Sequence, residues 1–492
     1  MQGIAYWIEK RANLHPEHIA IITEDEKITY KGLNQYVRVV SSYLKHDLGM
    51  KTGDRIAILS QNRFEYIVLL FAIAKIECIA VPLNIRLTKN ELIFQLQDSG
   101  TTVLFVEETF QDIAKEFSIE RVIPIACLKG LEENITYFFD EVNESASFII
   151  CYTSGTTGEP KGAVLTQKNM FWNALHNMLA IDLTSKDRSI VLLPLFHIGG
   201  IGLFAFPTLF VGGTIIISRK FEPAKVLSMI EEHKVTVVMG VPTIHQALLH
   251  CSAFETTNLQ SVRWFYNGGA PCPEELIKRF MDKGFLFGQG FGMTETSPTV
   301  FMLSEEDAKR KIGSIGKPVL YCDYMLVDEN RNEVGAGKVG ELIIKGPNIM
   351  KEYWNRPEAT VETIQDGWLY TGDLAREDEE GFLYIVGRKK EMMISGGENI
   401  YPLEVEQIIG KLSEVNEVAV IGVPDSKWGE VPIAFVVKKC GSELTEKEIV
   451  THCYLFLAKY KIPKEIVFLK ELPKNATGKI QKMKLVNKLK SR

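Results

Sequence analysis

Cysteine chemistry is the first thing this 492-residue sequence lacks. Its eight cysteines (Cys78, Cys127, Cys151, Cys251, Cys272, Cys322, Cys440 and Cys453) are scattered, without a CxxC pair or a Cys/His cluster of zinc-ligand spacing. That excludes a disulfide framework and a structural zinc site, and predicts reduced thiols in a cytoplasmic protein. Net charge is scarce too: 56 Lys and Arg stand against 62 Asp and Glu, a formal −6. So mild a balance gives no steering field for nucleic acid or an anionic membrane and makes small molecules the expected partners. There is no internal repeat and no low-complexity segment. A secretory leader is excluded because Glu9, Lys10 and Arg11 fall where its apolar stretch would lie, so the N-terminus reads as an amphipathic helix. Only residues 198–218 form an uncharged run long enough to cross a bilayer. Gly199, Gly200, Gly202, Pro207, Gly212 and Gly213 interrupt it and it ends in a β-branched run, which predicts a buried helix followed by a buried strand. No integral membrane segment is expected; peripheral membrane contact and a homodimer stay open.

What is present is ample apolar material, 46% of residues against 24% charged. A chain of this length and balance splits into a large domain and at least one smaller one. Short apolar runs at 55–59, 79–83, 103–107, 148–152, 190–194, 235–240 and 262–266 alternate with amphipathic stretches such as 222–233 and 273–282. The alternation predicts an α/β domain of βα-layered, largely parallel sheets covered by helices. From 312 to 387 the texture changes to strands and turns, a β-rich, hairpin-built subdomain. After Arg388 it changes again, to a compact α+β unit with helices over 403–410 and 446–459 and strands over 415–423, 432–438 and 466–469. Thr445 and Glu448 have capping-box spacing for the last of those helices. The reading is residues 1–387 as the N-terminal domain, 388–390 as a hinge and 391–492 as a small mobile C-terminal domain.

The strongest chemical signal follows the strand at 148–152: Thr153, Ser154, Gly155, Thr156, Thr157, Gly158, Glu159, Pro160, Lys161 and Gly162. Glycines let backbone N–H groups turn inward, hydroxyls donate to phosphate oxygens, and the lysine adds a point charge, so the loop suits a polyphosphate. It is not a Walker A loop, because Lys161 follows Pro160 and precedes Gly162. Composition alone would equally describe a polar surface turn.

The string itself resembles the phosphate loop of the AMP-binding, adenylate-forming superfamily, and seven further motifs recur in the order of that family. They are LPLFHIGG (193–200), NGGAP (267–271), QGFGMTET (289–296), GELIIKGPNIMKEYW (340–354), YTGDL (370–374), GRKKEMMISGGENIYP (387–402) and PKNATGKIQK (473–482). The resemblance, nearest to bacterial fatty-acyl-CoA synthetases, implies an AMP-forming acid–thiol ligase. ATP and a carboxylic acid give acyl-AMP and pyrophosphate, with Mg²⁺ assisting, and a thiol, CoA or a carrier protein, then displaces AMP.

By residue, it implies that Thr153 to Gly158 and Lys161 hold the ATP phosphates, and that Gly268, Gly269, Ala270, Gln289, Gly290, Phe291 and Gly292 enclose adenine and ribose. Phe291 stands where most members have Tyr, which a stacking face tolerates. Asp373 and Arg388 would serve the ribose. Thr294 would contact the α-phosphate, Glu295 the Mg²⁺ ion, and Lys479 the α-phosphate and carboxylate during adenylation. Lys390 matches the pivot about which the small domain turns, carrying Gly396 and Gly397 toward the pantetheine arm, whose channel mouth His197 would mark. The candidate acid pocket, 197–202, 264–268 and 292–300, is glycine-rich and apolar. It suggests a medium or long fatty acid first and an aryl acid of the benzoate or cinnamate type second.

Overall fold

The computed structural model describes residues 3–132, 142–153, 160–396, 398–474 and 479–490. Two mainly parallel sheets carry the larger part of the chain. The seven-stranded sheet contains Ile79–Pro82, Arg55–Leu59, Val103–Val106 and Arg121–Pro124 with Ser147–Thr153, then turns antiparallel through Lys161–Thr166 and the short edge strand Glu352–Tyr353. The nine-stranded sheet runs parallel from Ile19–Ile22 through Thr214–Ile217, Arg188–Val191, Val237–Gly240 and Trp264–Asn267 to Phe287–Gly292. Its parallel strands are continuous apolar runs because helices such as Pro223–His233 and Glu274–Asp282 cover its faces.

The uncharged stretch breaks into two helices, Ile198–Gly202 and Ala205–Val211, and the central strand Thr214–Ile217, all largely buried. Among the described residues no helix is long and apolar enough to cross a membrane. The first helix, Ala5–Leu14, buries Ala5, Trp7, Ile8 and Ala12, while Arg11 donates to the Phe210 carbonyl.

Asp323–Val327, Val339–Lys345, Trp368–Glu377 and Leu383–Arg388 form the expected antiparallel sheet. The region is not self-contained, however: Lys317–Pro318 pairs with Thr299–Met302 at the edge of the nine-stranded sheet, and Glu352–Tyr353 pairs with Lys161–Thr166. Alternation marks a strand without naming its partner, so the hairpin texture concealed two crossings.

Beyond Arg388 the core changes owner. Met393, Ile400, Val405, Ile409, Val420, Ala434, Val436, Ile449 and Cys453 bury one another and contact no earlier residue in that cluster. The sheet comprises Met393–Ser395, Glu398–Ile400, Val415–Asp425, Gly429–Lys438 and Glu465–Leu469. Thr445 caps the helix Glu446–Phe456 as expected, accepting from the Glu448 N–H at 3.3 Å while Glu448 accepts from the Thr445 N–H at 2.8 Å. The helix stops three residues short of the expected end because Leu457 turns extended and buries its side chain in the core.

Candidate active site

The site lies at the C-terminal ends of the parallel strands of the nine-stranded sheet, where open α/β sheets bind ligands. Trp264–Asn267 ends in the turn Gly268, Gly269, Ala270, and Gly269 takes φ +80°. The buried Asn267 holds this turn, its Nδ2 donating to the Ala270 carbonyl at 2.9 Å. Its Oδ1 is buried with no partner among the described residues. Sequence reading passed over Asn267, although its place directly before two glycines was the signal. The neighbouring strand carries Gln289, Gly290, Phe291 and Gly292 to the same rim, Asn267 lying in register with Gln289. Gln289 donates through Nε2 to the Ser314 carbonyl at 2.7 Å, so that end of its amide is committed to structure.

Thr294, Glu295 and Thr296 form one tight turn after that strand. Glu295 is buried and accepts at Oε1 from the Tyr353 hydroxyl at 2.7 Å; Lys161 Nζ lies 5.3 Å from the centre of the Tyr353 ring. Tyr353 therefore joins the loop-side lysine to the Thr-Glu turn, a part that the quoted motif contained but sequence reading left without a role. Burial first, then the Glu295 charge, raises the phenol well above its ordinary range, so it stays a donor. Tyr353→Phe would leave that buried carboxylate one donor short. The expected loss is about 1.5–3 kcal/mol of stability, read as a fall in the chemical-denaturation midpoint with an unchanged slope.

Among the described residues, the side-chain hydrogen bond shown for the Glu295 carboxylate is the one from Tyr353 to Oε1. A buried carboxylate with one oxygen committed to protein fits Mg²⁺ that arrives with its own phosphate oxygens and waters. Among the described residues no group of three or more His, Cys, Asp or Glu forms a resident metal cage.

Asp373 lies on Trp368–Glu377, buried, in register with Arg388 on the adjacent strand. Arg388 Nε meets Asp373 Oδ1 at 2.7 Å, whereas Oδ2 is buried and unpartnered among the described residues. The carboxylate does not make an Asx turn; the Asp373 N–H is held by Thr371 Oγ1 instead. Burial pushes the Asp373 acid up to about 6, against the opposing pull of Arg388 and Lys479, while Glu391 and Glu295 add to the rise. Those influences group Arg388, Lys479, Glu391 and Glu295 around one carboxylate. Lys479, itself an exposed residue, has its ammonium lowered by loss of hydration and then by Arg388. Three residues on, Lys482 Nζ meets Glu391 at 2.7 Å and Glu406 at 2.9 Å.

Lys390 sits exposed in the turn Lys389–Glu391, next to Lys389, which pairs with the buried Glu341 at 2.7 Å. Gly396, at φ +59°, lies under the Trp428 ring and donates its N–H to the Trp428 carbonyl at 2.8 Å. His197 opens the helix Ile198–Gly202; burial and then Arg86 lower its imidazole to about 4, so it is neutral at pH 7, and Nε2 is buried without a partner among the described residues. The structure thus gathers Lys161, Thr294, Glu295, Asp373, Arg388 and Lys479, and leaves Gly396 against Trp428. Ser154, Gly155, Thr156, Thr157, Gly158 and Gly397 fall outside the described residues; Thr153 and Lys161 bracket the loop as a strand pair.

A parallel-sheet rim carrying a hydroxyl-and-carboxylate turn, a buried Asp–Arg pair and a lysine from a separately cored module defines a nucleotide-dependent acid-activating enzyme. The chain belongs to the AMP-binding enzyme family, whose model matches residues 8–354, with the family's C-terminal domain matching residues 404–479. It is 39% identical over 486 residues to a feruloyl-CoA synthase of Amycolatopsis sp., covering 98% of both chains. The o-succinylbenzoate coenzyme A synthetase of Bacillus subtilis, solved with ATP and magnesium ion, superposes with a TM-score of 0.89 at 36% identity, covering 98% of this chain and 99% of that one. A Mycobacterium tuberculosis fatty acyl CoA synthetase superposes with a TM-score of 0.81 at 34% identity, covering 100% and 99%. The protein is an AMP-forming acid–thiol ligase of the acyl- and aryl-CoA type, using ATP, Mg²⁺ and CoA.

Proposed function

We propose that the acid is a compact aryl or arylpropenoic monocarboxylate, rather than the medium or long fatty acid that the glycine-rich pocket first suggested. The observation that carries this reading is how the pocket glycines are used. A Cβ on Gly200 would lie 2.1 Å from the Pro194 carbonyl oxygen, on Gly202 2.8 Å from that of Ser297, and on Gly292 1.6 Å from that of Pro298. At Gly268 it would meet the Met239 side chain at 2.7 Å. Gly200, Gly202 and Gly292 let main chain approach main chain, and Gly268 admits a side chain; none of the four opens a channel for a flexible chain. The same three segments contain neither Lys nor Arg to pair a second carboxylate. The feruloyl- and o-succinylbenzoate-named relatives support an aromatic acid; the fatty acyl CoA synthetase keeps the fatty acid as the competing reading.

In this reading Lys161 and the loop from Thr153 hold the departing phosphates, and Gly268, Gly269, Ala270 and Phe291 hold the base. Asp373 receives the ribose hydroxyls, Thr294 and Lys479 attend the α-phosphate, and Glu295 attends Mg²⁺. Lys390 is the pivot between residues 1–387 and 391–492 that later brings Gly396 to CoA near His197. Eight free thiols support a cytoplasmic setting. Pyrophosphate release with ATP, CoA and a panel of cinnamate-type, benzoate-type and fatty acids tests the acid. An aryl acid should exceed every fatty acid in kcat/KM by about tenfold or more; a fatty acid ranking first overturns the assignment.

A further inference from the structure

The phosphate loop grows from a three-strand ribbon, and one residue far away in sequence holds both edges of that ribbon. Tyr152 pairs in register with Gly162, and Gly162 accepts at its carbonyl from the Trp354 N–H at 2.7 Å, so Tyr152, Gly162 and Trp354 form one row across it. The next row is Thr153 and Lys161, the mouth of the loop. Asp98, in the last turn of the helix Lys89–Ser99, reaches both ends of the row. Its Oδ2 accepts from the Tyr152 hydroxyl at 2.7 Å and its Oδ1 from Arg356 at 2.9 Å. Its carbonyl accepts from Trp354 Nε1 at 3.0 Å and from Asn355 Nδ2 at 3.3 Å. A Cβ on Gly162 would lie 3.3 Å from the Tyr152 ring and 2.5 Å from Ile150, so the central residue is bare and the Tyr152 ring lies close over it.

Two details set this apart from an ordinary surface salt bridge. The Asp98 side chain is only 10% exposed and every one of its carboxylate oxygens is used. An acid in the last turn of a helix also works against the helix dipole, so it is not there for the helix. The edge strand it secures is the one whose other face carries Tyr353 to Glu295. One carboxylate thus sets both the base of the loop and the placement of the Thr-Glu turn.

We propose that Asp98 is a positioning residue for ATP, fixing the register and splay of the phosphate-loop ribbon without touching the nucleotide. The inference rests on the loop holding the departing phosphates. Asp98→Ala should raise KM for ATP by about 10- to 100-fold and lower pyrophosphate-forming adenylation, because small displacements of a positioning frame carry such costs. Thioester formation from preformed acyl-AMP and CoA, which needs no pyrophosphate clamp, should stay within about twofold. Asp98→Asn, which keeps an acceptor, should recover most of the loss, and Tyr152→Phe should reproduce part of it. Equal loss in both half-reactions, or an unchanged KM for ATP in a folded Asp98→Ala and Tyr152→Phe pair, overturns the proposal. Lys161→Ala separates the two readings. If it leaves KM for ATP unchanged, the loop assignment fails; if it raises KM while the Asp98 and Tyr152 variants do not, only the Asp98 role fails.

Discussion

Lys479→Ala will lower acyl-adenylate formation by about 10²- to 10³-fold, the usual consequence of removing one preorganised cation or donor from a developing oxyanion. In-line attack of a carboxylate on the α-phosphorus brings two anions together. The structure supplies against that repulsion an ammonium whose pKa is lowered by loss of hydration and by Arg388. A cation placed by the fold before reaction needs little reorganisation as charge develops. The same substitution should leave transfer from preformed acyl-AMP to CoA near its original rate, since Lys479 has no assigned part in thiol attack. Single-turnover measurement of each half-reaction checks this, and comparable losses in both would remove Lys479 from the adenylation step.

ATP will bind more tightly as the pH rises from about 5 to 7. Burial raises the Asp373 acid from 3.8 to about 6, and Oδ2 has no partner among the described residues. A pair of ribose hydroxyls donating to both oxygens favours the ionised form, so nucleotide binding releases a proton below about pH 6 and does not above it. The stability of the enzyme without nucleotide takes the opposite sign. Between about pH 4 and 6 the folded state binds more protons than the unfolded state, so this residue contributes a stability that is present at low pH and lost as the pH rises through 6. The loss is on the order of 3 kcal/mol for a shift of that size. Asp373→Asn should flatten both profiles and weaken ATP binding at pH 7, as titration calorimetry and denaturation across pH will read. A persisting slope in the variant assigns the titration to another group.

Much of the frame was legible because it rests on local pattern. Six of the seven apolar runs contain a strand within a residue or two of the expected ends, and the Thr445 cap was readable from its own four residues. The run at 190–194 is the exception, since the strand ends at Val191. Asn62 brackets the following turn, donating to the Leu193 carbonyl and accepting from the Leu195 N–H, and a partner so distant leaves no periodic trace. Asp373 and Arg388 could be named from a motif, but the burial that weakens the Asp373 acid could not. Tyr353 and Asp98 stayed hidden for the same reason: their partners lie 58 and 54 or more residues away. Residue type announces a hydroxyl or a carboxylate; only the fold decides what it meets.

The close-packed glycines around the acid pocket also govern how substrate range can drift during evolution. Gly200, Gly202 and Gly292 face main-chain atoms that no rotamer change can move aside, so most substitutions there are removed by selection before their effect on the acid matters. Neutral variation is channelled instead to flexible side chains beside the glycines, such as Met239 against Gly268, where one flexible residue can be exchanged for another. Paralogues with new acids should therefore differ at such bordering positions and keep the glycine scaffold, changing the upholstery of the cavity while its walls stay where the backbone put them.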